Sequence, residues 1–283
     1  MKRIVLTTES GADLPQDLVE KYGIHVVPMH VVMEGKDYLD GTLPVEEVFA
    51  YHDRTKKIPS TTATNVHEYQ ELFKEIRTSD PDCIIVHVGY TSKASASFQS
   101  AVIAAEDFDD LYLVDALNVT GGLGAVVLHA AQLLEGNPEI GHEELIRKIE
   151  AIVPKTKLAF IPGSLDFLRA GGRVSNVAYI GGALLKIKPC IELKDGKLVS
   201  TRKYRGQMSS VAEKLFYDYL NEYNISREQL YLICSIGLDE AVKKRMEQLA
   251  NDAGFANVRW LQAGAMISTH AGPGGFGIAG IEK

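Results

Sequence analysis

No apolar run in this chain approaches the roughly 18 residues that a membrane-crossing helix needs, so a role at a membrane would have to be peripheral. The amino terminus, MKRIVLTTES, enters a strand at once and lacks the apolar core of a signal peptide. Cysteine is scarce. Cys83, Cys190 and Cys234 fit neither a zinc motif nor a C-x-x-C redox pair. An odd number without a framework suits a reducing cytoplasm, and Cys83 and Cys234, set in apolar runs, read as core residues. Positive charge is also in short supply. The net charge of −7 lacks the basic excess of a nucleic-acid binder, and no such partner is expected. Histidines at H-x-x-x-H or H-E-x-x-H spacing are absent, which argues against zinc. Asp13, Asp40 and Asp115 are too scattered for Mg²⁺ and read as caps. The nucleotide loop G-x-x-x-x-G-K-[ST] is missing. GPGGFG, from Gly272 to Gly277, has the G-x-G-x-x-G form, but only IAGIEK follows, too little for the helix of a dinucleotide site. It reads as tight backbone turns. G-x-S-x-G is absent too, against a conventional α/β-hydrolase.

What is present is ordinary globular composition, 46% apolar and 24% charged over 283 residues, enough for one large or two ordinary domains. Strands and helices alternate in the first half. RIVLTT is a strand. ADLPQDLVEKYG is a helix with Asp13 as candidate N-cap and Gly23 as C-cap. HVVPMHVVM reads as one strand, with Pro28 marking an edge or bulge. CIIVHVG and LYLVDA are strands, and GGLGAVVLHAAQLLEG is a helix ending at Gly136. This alternation predicts a parallel sheet covered on both faces. After Pro154 the texture changes. CIELKDGKLVSTRKYRG is a hairpin around Asp195-Gly196, QLYLICSIG is a strand, and VRWLQAGAMIST and GFGIAGI look like final strands. The expected fold is a two-domain α/β protein: residues 1–154 form a parallel-sheet α/β/α layer domain and residues 155–283 a mixed-sheet α+β domain.

Hydroxyl groups cluster at two comparable places. TSKASASFQSA follows the buried strand CIIVHVG and leads into a helix, with Ser95 as candidate N-cap. IPSTTATN, with Thr61, Thr62 and Thr64, also precedes a helix. Ligands of open α/β sheets bind at the carboxyl ends of strands, and helix-start amides with hydroxyls favour an anion there. Capping alone explains each cluster equally well. His270, in STHAGPGG, is read at a strand end beside a glycine turn. Arg169, Arg173, Arg202, Lys203 and Arg205 are either solvated charge or a basic rim for an anion or acidic partner. Gly181, Gly182 and Ala183 would let a helix or a ligand pack close to the backbone.

Taken together, these segments resemble the DegV family of bacterial fatty-acid-binding proteins. TTESGADLP is similar to that family's T-D-S-x-x-D-L, PSTTATN to P-x-T-S-Q-P-S, and SKASASFQSA to S-x-L-S-G-T-Y-Q-S-A. LDFLRAGGRVSN, GGALLKIKPCIELKDGK and THAGPGGFGI extend the match nearly end to end. Glu9 stands where aspartate is usual, and Ala94 and Ala96 stand where leucine and glycine are usual. The resemblance implies two α/β-type domains with one long-chain fatty acid, palmitate-like, buried between them. By motif position, Thr61, Thr62 and Ser95 would hold the carboxylate, with His270 close by. Some members of the family carry the lipid for bacterial fatty acid kinase. A separate ATP-binding subunit phosphorylates the carboxylate, and the product feeds phospholipid synthesis. Arg173 and Arg205 would face that partner or the phosphate. The chain itself would then be non-catalytic, cofactor-free and cytoplasmic, exchanging lipid by peripheral membrane contact. Two other readings stay open: an acyl hydrolase or transferase using Ser95 and His270, and a carrier of another amphiphilic acid.

Overall fold

The computed structural model describes residues 2–174 and 187–283. In chain order the strands are β1 (Ile4–Glu9), β2 (His25–Val27), β3 (His30–Met33), β4 (Lys36–Leu39), β5 (Ser60–Thr62), β6 (Ile84–Gly89), β7 (Leu111–Asp115), β8 (Thr156–Ile161), β9 (Ile187–Lys194), β10 (Lys197–Arg205), β11 (Gln229–Cys234), β12 (Asn257–Gln262) and β13 (Phe276–Ile281). The helices are α1 (Gln16–Tyr22), α2 (Val45–Thr55), α3 (Val66–Ser79), α4 (Ser97–Ala105), α5 (Thr120–Gly136), α6 (His142–Ile152), α7 (Leu165–Gly171), α8 (Met208–Glu222), α9 (Glu240–Asp252) and α10 (Ala265–Ala271).

Continuous apolar strands separated by amphipathic helices build the expected parallel sheet, in the order β2-β1-β6-β7. β6 is buried along its whole length, as a strand covered on both faces must be. A mixed sheet follows, β10-β9-β8-β13-β11-β12, antiparallel except where β11 pairs with β12. Every strand of the parallel sheet precedes Pro154, and the mixed sheet begins at Thr156. The β9–β10 hairpin turns at Asp195 (φ 49°) and Gly196 (φ 77°), the left-handed pair of a type I′ turn.

α5 joins the two sheets. It touches β1 and β6 on one side and β8, β11 and β13 on the other. Its first turns explain the GGLG run. A methyl group on Gly121 would lie 2.5 Å from Ile233 Cδ1, and one on Gly124 would lie 2.7 Å from the Ala12 carbonyl oxygen. These glycines serve close packing. The largest core cluster accordingly runs through both sheets, from Leu6, Val88 and Leu123 to Leu158, Ile233 and Leu261. All three cysteines are free and buried.

Three local expectations are corrected. HVVPMHVVM is two strands: β2 joins the parallel sheet, while β3 pairs with β4 and β5 in a separate three-stranded sheet. Pro28, with no N–H to donate, marks the break. Asp13 does not cap α1, which starts after Pro15, because its side chain is drawn into the core. VRWLQAGAMIST is not one strand. β12 ends at Gln262, and α10 begins at Ala265 with Gly264 as N-cap.

Candidate functional site

A cavity of about 670 Å³ lies where the carboxyl ends of β6 and β11 meet the start of α5, α10 and β13. Its size falls within the roughly 300–1,000 Å³ of small-molecule sites. Its walls are largely apolar, drawing on Met29, Val119, Leu168, Leu198, Met266 and Ile267. The lining is graded. Thr62, Ser92, Lys93 and Arg173 are exposed, whereas Ile161, Ile233, Cys234 and Phe276 are buried. A polar, solvent-facing rim thus leads to an apolar floor.

The structure brings four of the expected residues, Thr61, Thr62, Ser95 and His270, to this cavity. Thr61 Oγ1 and His270 Nε2 lie 2.9 Å apart. His270 sits on α10 and not at a strand end. Its Nδ1 edge points at Gly171, where a methyl group would come 2.1 Å from Nδ1. Nδ1 is buried and has no partner among the described residues. Burial, and then the nearby Arg173 charge, push the His270 pKa down to about 4, so the ring is neutral at pH 7.

Ser95 is not the N-cap of α4. That helix starts at Ser97 with Ala96 at the cap position. Ser95 Oγ instead accepts the Ser97 N–H at 3.2 Å and lies 2.9 Å from Ser97 Oγ. Ser97 Oγ in turn accepts the Thr64 N–H at 3.2 Å. Either hydroxyl of the Ser95–Ser97 pair can donate to the other, and Ser95 keeps a proton for a ligand when Ser97 is the donor. Because Ser95 is tied to Ser97 and His270 to Thr61, no Ser95–His270 hydrogen bond forms.

Arg173 lines the rim and donates from its guanidinium to the Gly171 carbonyl at 2.7 Å. Arg205 is exposed at the end of β10 and does not line the cavity. Gly181, Gly182 and Ala183 lie outside the described residues. Sequence reasoning missed Tyr90 and Thr120, both cavity residues. Tyr90 directly follows β6, and the strand-end rule already applied to the serines would have found it.

Asp13 and Asp40 hold the start of α10. Asp13 accepts the Gly264 N–H at 2.8 Å, and Asp40 accepts the Met266 N–H at 3.1 Å. They act as caps from a distance, and among the described residues no group of three or more metal-ligating side chains forms. Burial pushes the Asp13 pKa up to about 8, against its hydrogen bonds from Gly264 and Thr120. The folded state therefore keeps a proton that the unfolded state releases above pH 3.8, and this stabilisation is lost as pH rises through 8. His270 has the opposite sign: its contribution is present above pH 6.5 and lost as pH falls through 4. The two slopes oppose each other at intermediate pH. From pH 6.5 to 8 Asp13 acts alone, and stability should fall by about 2 kcal/mol. Urea titrations across that range should show the decline in the natural chain and none in Asp13→Asn. An equal slope in both would refute the assignment.

Comparisons with known proteins bear on the family and the fold. The model of the DegV family matches residues 3–283. A DegV domain-containing protein of Caldanaerobacter subterraneus subsp. tengcongensis is 32% identical, with both chains covered completely. A fatty acid-binding protein of Thermotoga maritima is 29% identical over 99% of each chain. Among solved structures, a DegV family protein from Thermus thermophilus, described for its fatty acid binding, superimposes with a TM-score of 0.88 at 26% identity, covering 99% of this chain and 100% of the other.

Proposed function

The chain belongs to the DegV family, and from that premise we propose that it binds a long-chain fatty acid and presents its carboxylate to a separate ATP-binding kinase subunit. The observation that carries this reading is a largely apolar cavity of about 670 Å³ with hydroxyls and cations, Thr62, Ser92, Lys93 and Arg173, at its exposed rim among the described residues. Each buried CH₂ contributes about 0.8 kcal/mol, so a palmitate-like chain has ample driving force. An unpaired carboxylate would offset much of it. Thr61, Thr62, Ser95 and neutral His270 supply the donors. Arg173 and Arg205 face the partner or the transferred phosphate. Residues 1–154 and 155–283 act as two domains around the lipid. The protein is non-catalytic and cytoplasmic, and it exchanges lipid by peripheral contact with membranes. The absence of a nucleotide loop in the sequence supports that division of labour.

Native mass spectrometry of the protein as purified tests the binding. A long-chain acid should be retained, and added palmitate should be taken up. Ser95→Ala and Thr61→Ala should each weaken palmitate about tenfold, the effect of one hydrogen bond to a charged group. If no acid is retained or taken up, or if a sterol or isoprenoid acid displaces labelled palmitate with far higher affinity, the reading is wrong. The kinase step is tested by adding an ATP-binding fatty acid kinase subunit and ATP. Acyl phosphate should form only with both proteins present, and turnover of acyl esters by this chain alone would favour a hydrolase.

A further inference from the structure

The head-group donors leave one polar side chain in the cavity unexplained. Tyr90 lines the cavity, is 7% exposed, and its hydroxyl makes no hydrogen bond among the described residues. It is also not among the fully enclosed unpaired atoms, so the open space it faces is the cavity. Its position is imposed from behind. The Tyr90 N–H donates to the buried Glu9 carboxylate at 2.8 Å, and the ring packs by Met29 and Met266 over Gly11. A methyl group on Gly11 would lie 2.7 Å from Met266 Cε and 3.0 Å from Tyr90 Cδ2. Met266 precedes His270 by one helical turn of α10, about 6 Å, toward the buried end of that helix. The phenol ring therefore stands on the cavity wall beside the buried start of α10.

A second polar element shares this wall. Thr120, also a cavity residue, is buried and holds φ at 41°, a left-handed value that a β-branched residue rarely adopts. Its hydroxyl donates to the Asp13 carboxyl at 2.5 Å. Thr120 opens α5, whose N-terminus has no side-chain cap. Phenol and helix start together offer donors to an oxygen atom inside the cavity.

We infer that Tyr90, beside the start of α5, forms a second polar contact in the cavity, which takes an oxygen substituent on the acyl chain, so that the preferred ligand is a hydroxy or oxo fatty acid. This rests on the fatty-acid reading above. A plain methylene chain would leave the phenol dry and unpaired, whereas a chain oxygen would satisfy it.

Competition binding with palmitate, 3-oxopalmitate and hydroxypalmitates substituted at successive positions tests the inference on the natural chain and on Tyr90→Phe. That variant keeps the ring packed on Met29 and Met266. On the natural chain at least one oxygenated acid should bind about tenfold more tightly than palmitate, the ratio expected of one hydrogen bond gained in a dry cavity. Tyr90→Phe should erase that preference and tighten palmitate several-fold. Palmitate binding best of the set to the natural chain would overturn the inference. So would a Tyr90→Phe variant that weakens all the acids equally, since the phenol would then belong to the carboxylate. Neither result would touch the fatty-acid reading, which in this experiment fails if no acid of the set binds the natural chain.

Discussion

Glu9→Ala should lower the stability of the fold by about 4 kcal/mol, within the range set by removing one partner of a buried ion pair. Glu9 is fully buried at the end of β1. Its carboxylate accepts the Tyr69 hydroxyl at 2.6 Å and the Tyr90 N–H at 2.8 Å, and lies 3.3 Å from His87 Nε2. Burial alone would raise its pKa. The charge of His87 and the hydrogen bonds from His87, Tyr69 and Tyr90 outweigh burial and hold the pKa below the usual carboxylate value. The carboxylate therefore stays ionised, and alanine would strand three buried polar groups at once. Glu9→Gln keeps the shape and one carbonyl acceptor, for either Tyr69 or Tyr90 but not both, and so should lose less than alanine. Urea midpoints of the three proteins give the ranking. An alanine variant within 1 kcal/mol of the natural chain would mean that His87 and its neighbours need no counter-charge. The substitution should also loosen ligand binding, because Glu9 fixes Tyr90 on the cavity wall and Tyr69 packs under α4, the helix that carries Ser97.

The parallel sheet was legible in the sequence because its strands are short, largely apolar and separated by helices. Asn65 and Glu68 close a complete capping box at the start of α3, and Gly23 ends α1 in the left-handed conformation. The two hydroxyl clusters do meet at one cavity, but not as helix caps: Thr61 and Thr62 lie on β5, and Ser95 precedes the cap position of α4. The secondary structure around His270 was not legible. α10 has seven residues, including β-branched Ile267 and Thr269, which locally favour a strand. Its capping comes from Asp13 and Asp40, more than two hundred residues away. No local signal reports such a cap. For the same reason Asp13 was misassigned to the helix next to it. The cavity floor was hidden in another way. Ile161, Ile233 and Phe276 read as ordinary core residues, and only the gap between their side chains distinguishes them.

Gly163→Ala should destabilise the protein by about 3 kcal/mol or more and distort the cavity floor, although the residue touches no proposed ligand donor. Gly163 follows β8, and its N–H donates to the Ala271 carbonyl at 2.8 Å. A β-carbon there would lie 1.8 Å from the Pro273 carbonyl oxygen and 2.8 Å from the Gly275 nitrogen. These are backbone atoms, so no rotamer change relieves the clash. The opposing loop is itself pinned. Ser235 Oγ donates to the Gly272 carbonyl at 2.6 Å and accepts the Gly275 N–H at 2.7 Å. Moving the loop would break these buried bonds and shift Gly275 and Phe276, which line the cavity. Gly136→Ala is the matching control. It ends α5, nothing lies within 4 Å of the added carbon, and alanine there should be neutral or stabilising by a few tenths of a kcal/mol. Thermal unfolding together with palmitate uptake separates the outcomes. If Gly163→Ala melts with the natural chain, the contact between the β8 exit and the Pro273 loop is not what sets the floor of the site. If it melts early and loses palmitate while Gly136→Ala does neither, the glycine-rich turn before β13 acts as the backbone stop that shapes the apolar end of the cavity.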